Sequence, residues 1–162
     1  MPRINVLFVC LGNICRSPTA HGVFQQHIRA SKLEHVISVD SAGTGDWHVG
    51  KAPDQRSVKA AATRGYDLSA LRARQVCAQD FYDFDYILAM DNSNLSDLQT
   101  LQPNDSRASL SLLLSYGDVA VAEVPDPYYG AGDGFQTVLD LIEQASSALL
   151  QQIINDHQLV QD

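Results

Sequence analysis

The sequence predicts an α/β fold, an open parallel sheet with helices on both of its faces. The run Ile4–Cys10 is almost continuously apolar and β-branched, the pattern of a strand covered on both sides. Strand-like and helix-like segments then alternate along the chain, which implies right-handed crossovers between parallel strands. With 162 residues the chain is long enough for one core without covalent staples. It shows no repeat, low-complexity tract or linker, so a single domain over residues 1–162 is expected.

After the first strand comes a loop and then a helix, with Ser17 read as its N-cap and Pro18 as its first residue. Ala20, Val23, Phe24 and Ile28 follow at helical spacing. Val36–Val39 reads as a second short strand, and Ser41-Ala42-Gly43-Thr44-Gly45 as a turn-forming stretch that ends it. The segment from Asp54 to Arg64 reads as a helix stopped by Gly65. A third apolar strand spans Tyr86 to Met90, and Leu95 and Leu98 place a helix after it. Leu110 to Leu114 fits either a strand or a helical turn. Two prolines keep Pro125-Asp126-Pro127-Tyr128-Tyr129-Gly130 out of regular structure. From Phe135 through Val138, Leu139, Ile142 and Leu149 to Ile153 a long amphipathic helix closes the sequence.

A formal charge of −8 argues against nucleic acid and anionic membranes as partners, because most of the surface would repel phosphate polymers. Any phosphate site must therefore be local. Cys10, Cys15 and Cys77 form neither a CxxC pair nor an even disulfide framework, which suits a reducing cytoplasm. Cys77 is read as a core residue. Neither a signal-peptide cleavage site nor a membrane-spanning apolar stretch is visible. The five histidines lack ligand spacing, so neither a metal nor another cofactor is expected.

The chemistry concentrates in Cys10-Leu11-Gly12-Asn13-Ile14-Cys15-Arg16-Ser17, where a parallel strand gives way to a helix. Open α/β sheets bind ligands at such a place. Five residues between Cys10 and Arg16 can curl so that successive amides converge on an anion, with the helix N-terminus adding its positive end. The same field favours the thiolate of Cys10. Arg16 offers a planar fork matched to two phosphate oxygens, a geometry lysine lacks. Gly12 and Asn13 suit a left-handed turn in a tight loop, and Ser17 can donate toward the Cys10 sulfur.

At these residues the sequence resembles the low-molecular-weight protein tyrosine phosphatases, from Val9 and Cys10 through Ser17 and Pro18. The likeness continues in Asp40-Ser41-Ala42-Gly43-Thr44, Arg72-Ala73-Arg74-Gln75, Met90-Asp91 with Asn94-Leu95, and Asp126-Pro127-Tyr128-Tyr129-Gly130. The resemblance implies a four-stranded parallel sheet, Cys10 as nucleophile of a phosphocysteine mechanism, Arg16 as phosphate clamp, and a distant Asp126 as general acid and base. It implies phosphotyrosine proteins and aryl phosphates as substrates, with inorganic phosphate as product. The loop residues Leu11, Gly12, Asn13, Ile14 and Cys15 would hold the phosphate. Trp47, Tyr128 and Tyr129 are candidate walls for an aromatic leaving group, and Ser41 joins Asn13 as a brace of the loop. Asp91 fits either a site-facing carboxylate or a helix N-cap.

Two positions depart from the family pattern. Leu71 stands where many relatives have a histidine that braces the loop asparagine, and His21 stands where an acidic residue is usual. Rival readings fit less well. A thioredoxin-coupled arsenate reductase needs cysteines where this chain has Ala89 and Asp91, and relatives acting on phosphoarginine typically have threonine at the position of Ile14. A phosphocarrier would have to preserve its phosphocysteine, which Arg16 and Asp126 oppose, and a non-catalytic anion-binding module needs no nucleophile. Two thiols in one anion-binding loop also suggest a redox pair between Cys10 and Cys15.

Overall fold

The computed structural model describes residues 3–128 and 134–160. Four parallel strands, β1 (Ile4–Cys10), β2 (Ile37–Gly43), β3 (Tyr86–Ala89) and β4 (Ser109–Leu112), form one sheet in the order β2-β1-β3-β4. The helices are α1 (Arg16–Ala30), α2 (Gln55–Ala62), the single turn α3 (Asp80–Asp83), α4 (Asn92–Leu101) and α5 (Gly134–His157). A 3₁₀ turn, Leu113–Ser115, extends β4, so the run Leu110 to Leu114 is strand first and helical turn second.

Strand alternation sorts the core into two layers. Val6, Phe8 and Cys10 of β1 face α1, α2 and α5, where they meet Val23, Phe24, Ala61, Leu139 and Ile142. Leu7 and Val9 face the other way, toward Phe81 of α3 and Leu98 of α4. Phe8 and Phe24 meet edge to face at 5.5 Å, and burying each such side chain stabilises the fold by roughly 1.5–3 kcal/mol. This two-sided burial is why β1 reads as an unbroken apolar run.

Two boundaries and the placement of Cys77 differ from the sequence reading. Helix α1 begins at Arg16 with Cys15 as its N-cap residue, so Ser17 lies inside the first turn and its hydroxyl is not a cap. Pro18 is tolerated there because the first four helical amides have no intrahelical partner. Strand β2 runs on through Ser41, Ala42 and Gly43, because β1 offers parallel partners as far as Cys10 opposite Gly43. Tertiary pairing overrides the turn propensity of those residues. Cys77 is exposed; its amide donates to Asp80 Oδ2 at 2.9 Å in the cap before α3, which leaves it outside both core layers.

The strand order reverses direction at β1: β2 lies on one side of it and β3 on the other. The crevice at such a reversal, beyond the C-terminal strand ends, receives the segment after Cys10 and the segment after Ala89. Among the described residues no helix is long and apolar enough to cross a membrane.

Candidate active site

Cys10 ends β1, buried, with Sγ 3.0 Å from Ser17 Oγ. Ser17 reaches that position because it occupies the first turn of α1, above the strand end. Its Oγ accepts from Asn13 Nδ2 at 2.8 Å and lies 3.3 Å from the Ala42 carbonyl. With the asparagine donating inward, the hydroxyl hydrogen is left for Cys10 or Ala42.

Asn13 forms the apex of the loop at φ +56°, a left-handed conformation that asparagine tolerates better than most residues. Its Oδ1 accepts from the Arg74 amide at 3.1 Å. Leu71 packs against the core instead, so a backbone amide of the segment Arg72–Gln75 meets the asparagine in this chain. Gly43 allows the loop to lie close: a Cβ there would come within 2.8 Å of the Leu11 carbonyl oxygen. Among the described residues the amides of Gly12, Asn13, Ile14 and Cys15 donate to no protein acceptor. A nest of amides beside the N-terminus of α1 suits an anion.

Arg16 is buried, and its position in the first turn of α1 carries the guanidinium toward the C-terminal end of β3. Nη1 donates to Asp91 Oδ2 at 2.7 Å and to the Val124 carbonyl at 2.9 Å. Both hydrogens of that nitrogen are thereby used, so the fork left for two phosphate oxygens is Nε and Nη2. Asp91 is the N-cap of α4, its Oδ1 accepting from the Asn94 amide, and it backs Arg16 without lining the cleft.

Asp126 Oδ2 lies 3.7 Å from Arg16 Nη2, and its side chain is about a third exposed. Its Oδ1 accepts from the Tyr128 amide at 3.0 Å, a local turn that orients the carboxylate. Cys10, Leu11, Gly12, Ile14, Cys15, Arg16, Trp47, His48, Asp126 and Tyr128 line one open cleft of about 470 Å³. Cys10, Arg16 and Asp126 therefore share a single space. Trp47 stays largely exposed and lies against the chain where Gly45 has no side chain, since a Cβ there would sit 2.0 Å from the indole. Asn13 and Ser17 stand behind the loop and do not line the cleft, and Tyr129 lies outside the described residues.

One expectation changes. Ser41 does not brace the loop directly: its hydroxyl pairs with His21 Nδ1 at 3.0 Å, tying α1 to β2 one layer further back. Burial lowers the His21 pKa, with the nearby Asp40 charge opposing, so its imidazole favours the neutral form. Cys15 is buried, and burial pushes its thiol up to about 12, with the Ser57 hydroxyl pulling the other way and the Asp54 charge adding to the rise. His48 was not anticipated. Its ring sits 3.0 Å from where a Gly12 Cβ would be and 6.5 Å from the Tyr128 ring, and only its adjacency to Trp47 hinted at a place in the wall. Among the described residues no group of three or more His, Cys, Asp or Glu side chains is placed to hold a metal ion.

The chain resembles known proteins over most of its length. The family model "Low molecular weight phosphotyrosine protein phosphatase" matches residues 5–159. The chain is 47% identical over 135 residues to the Schizosaccharomyces pombe protein of that name, covering 82% of this chain and 86% of that one. It is 41% identical to the low molecular weight protein-tyrosine-phosphatase YfkJ of Bacillus subtilis, covering 96% and 99% of the two chains. A crystal structure of a protein tyrosine phosphatase from Entamoeba histolytica, with Hepes in its active site, superposes with a TM-score of 0.91 at 38% identity, covering 96% and 99%. With a family match over nearly its whole length and relatives this close, the chain belongs to the low molecular weight phosphotyrosine protein phosphatases.

Proposed function

We propose that this protein is a phosphotyrosine phosphatase that works through a phosphocysteine on Cys10, without metal or cofactor. The observation that carries the reading is the shared cleft of Cys10, Arg16 and Asp126. Cys10 attacks phosphorus in line, while the loop amides and the Nε and Nη2 donors of Arg16 stabilise charge on the equatorial oxygens. Asp126, protonated in this step, gives its proton to the phenolic oxygen, because a phenolate is a poor leaving group. Its carboxylate then takes a proton from water as water attacks the phosphocysteine and releases inorganic phosphate. Ser17, 3.0 Å from Sγ, steadies the thiolate that leaves in this second step.

Trp47, His48 and Tyr128 suit the flanks of an aromatic leaving group. Phosphotyrosine proteins and aryl phosphates are accordingly the substrates, and the net charge of −8 disfavours nucleic acid or anionic membranes. The unpaired thiols Cys10, Cys15 and Cys77 suit a reducing, cytoplasmic setting.

Assays on peptides carrying phosphotyrosine, phosphoserine or phosphoarginine, with and without chelator, test the reading. Turnover should favour phosphotyrosine and survive chelation. A chelator-sensitive rate, or preference for either other peptide, would contradict it.

A further inference from the structure

Besides Arg16, a second guanidinium, that of Arg56, joins the loop that carries Asp126 to the phosphate-binding loop. The Asp54 amide donates to the Ile14 carbonyl at 2.8 Å, which fixes the N-cap of α2 to the phosphate loop. Arg56 then grips the Asp54 carboxylate with a fork, Nε to Oδ1 at 3.0 Å and Nη2 to Oδ2 at 2.9 Å. The same Nη2 donates to the Tyr128 carbonyl at 3.2 Å. The guanidinium carbon stands 5.4 Å from the centre of the Tyr128 ring and 4.9 Å from that of Phe135, within reach of cation–π attraction. The Tyr128 amide in turn donates to Asp126 Oδ1. Every link from Ile14 to the Asp126 carboxylate is thus a direct contact.

We propose that Arg56 is a positioning residue for the general acid, holding the Asp126 carboxylate at the phosphate loop without touching the phosphate itself. The proposal rests on the reading of Asp126 as proton donor. Arg56 is about half exposed, and exposed ion pairs contribute little to stability. Its planar fork instead meets one carboxylate, one carbonyl and two rings, a combination of directions that an ammonium cannot reproduce. Because Arg56 acts through Asp126, its loss should matter only where proton donation matters.

The test compares phenyl phosphate, a poor leaving group, with 4-nitrophenyl phosphate in the parent, Arg56→Ala, Arg56→Lys, Asp126→Asn and the Arg56→Ala/Asp126→Asn pair. The quantity read is kcat/KM, which reports phosphoryl transfer to Cys10, alongside inhibition by inorganic phosphate. Arg56→Ala should lower kcat/KM roughly tenfold for phenyl phosphate and less than about twofold for the nitrophenyl ester, with phosphate inhibition little changed. Arg56→Lys should recover only part of the loss, and removing Arg56 from Asp126→Asn should cost nothing further. If Asp126→Asn responds selectively to the leaving group but Arg56→Ala slows both esters equally, or adds to Asp126→Asn, the positioning role is overturned alone. If Asp126→Asn itself shows no selectivity, the acid reading falls and the proposal with it.

Discussion

The two halves of the site are built in opposite ways. In the phosphate loop Cys10, Asn13, Cys15, Arg16 and Ser17 are all buried, and Asn13 and Ser17 link the loop to Arg74, Ala42 and Cys10 by hydrogen bonds. The segment with Asp126 and Tyr128 is exposed and meets Arg16 and Arg56 at the rim of the cleft. In the proposed mechanism the difference separates two chemical tasks. Holding a transferring phosphoryl group needs donors fixed before the substrate arrives, whereas a proton donor must reach solvent to be recharged and must let product leave.

If that division is right, damage to the loop should be large and indifferent to the leaving group, and damage to the Asp126 segment smaller and selective. Cys10→Ser should lower aryl phosphate hydrolysis by roughly 10⁴-fold or more while still binding phosphate, measured by calorimetry. Substantial residual turnover would break the comparison at its centre. Arg16→Ala should cost roughly 10²–10³-fold in rate and lose phosphate affinity as well, since it removes the fork and takes from Asp91 its cationic partner. Phosphate affinity equal to the parent's would refute the clamp. Asp126→Asn should cost roughly 10²-fold for phenyl phosphate and far less for nitrophenyl phosphate. An equal loss for both would put Asp126 outside the proton transfer.

The thiol of Cys15 sharpens the contrast inside the loop. We propose that a peroxide-oxidised Cys10 is captured by Cys15, the sulfenic oxygen leaving as water when the disulfide forms. Attack requires the Cys15 thiolate, and with its pKa raised from 9.0 to about 12 only about one part in ten thousand is ionised at pH 8. Disulfide formation should therefore speed up about tenfold per pH unit below that value, followed by mass mapping of the cysteines. The sign for stability is opposite: a raised thiol pKa favours the protonated native state. Its contribution is complete below 9.0 and is lost as pH climbs toward about 12. A pH-independent capture rate, or full reductant recovery in Cys15→Ser, would remove the redox pair. A smaller effect concerns His21, whose lowered pKa favours the native state above its ordinary value of 6.5 and disfavours it as pH falls below. Thermal melting should show a modest acid-side loss that His21→Gln abolishes.

Legibility followed locality. Ile4–Cys10 could be read because burial on both faces writes a continuous apolar run, and Cys10 to Ser17 because the loop's residues are eight adjacent ones. Ser17-Pro18 imitates a helix cap, and the fold shows that Cys15 is the N-cap residue instead, while the expected pairing of the Ser17 hydroxyl with Cys10 is present. Ser41-Ala42-Gly43 has turn composition, yet it is strand because β1 lies beside it. His48 and Arg56 carry no local signature; their roles arise from contacts to Gly12 and to Tyr128, which sequence spacing does not encode. Short α3 leaves no periodicity to detect in four residues.

Rapid-quench analysis of the covalent intermediate tests the division of labour most directly. Enzyme mixed with 4-nitrophenyl phosphate, quenched within the first turnover and mapped by mass spectrometry, should carry one phosphoryl group on Cys10. Asp126→Asn should accumulate more of it than the parent, since the carboxylate that activates water is gone while the loop that receives phosphate is intact. Phosphate on any other residue, or a first turnover that passes with no covalent intermediate in either protein, would contradict the mechanism.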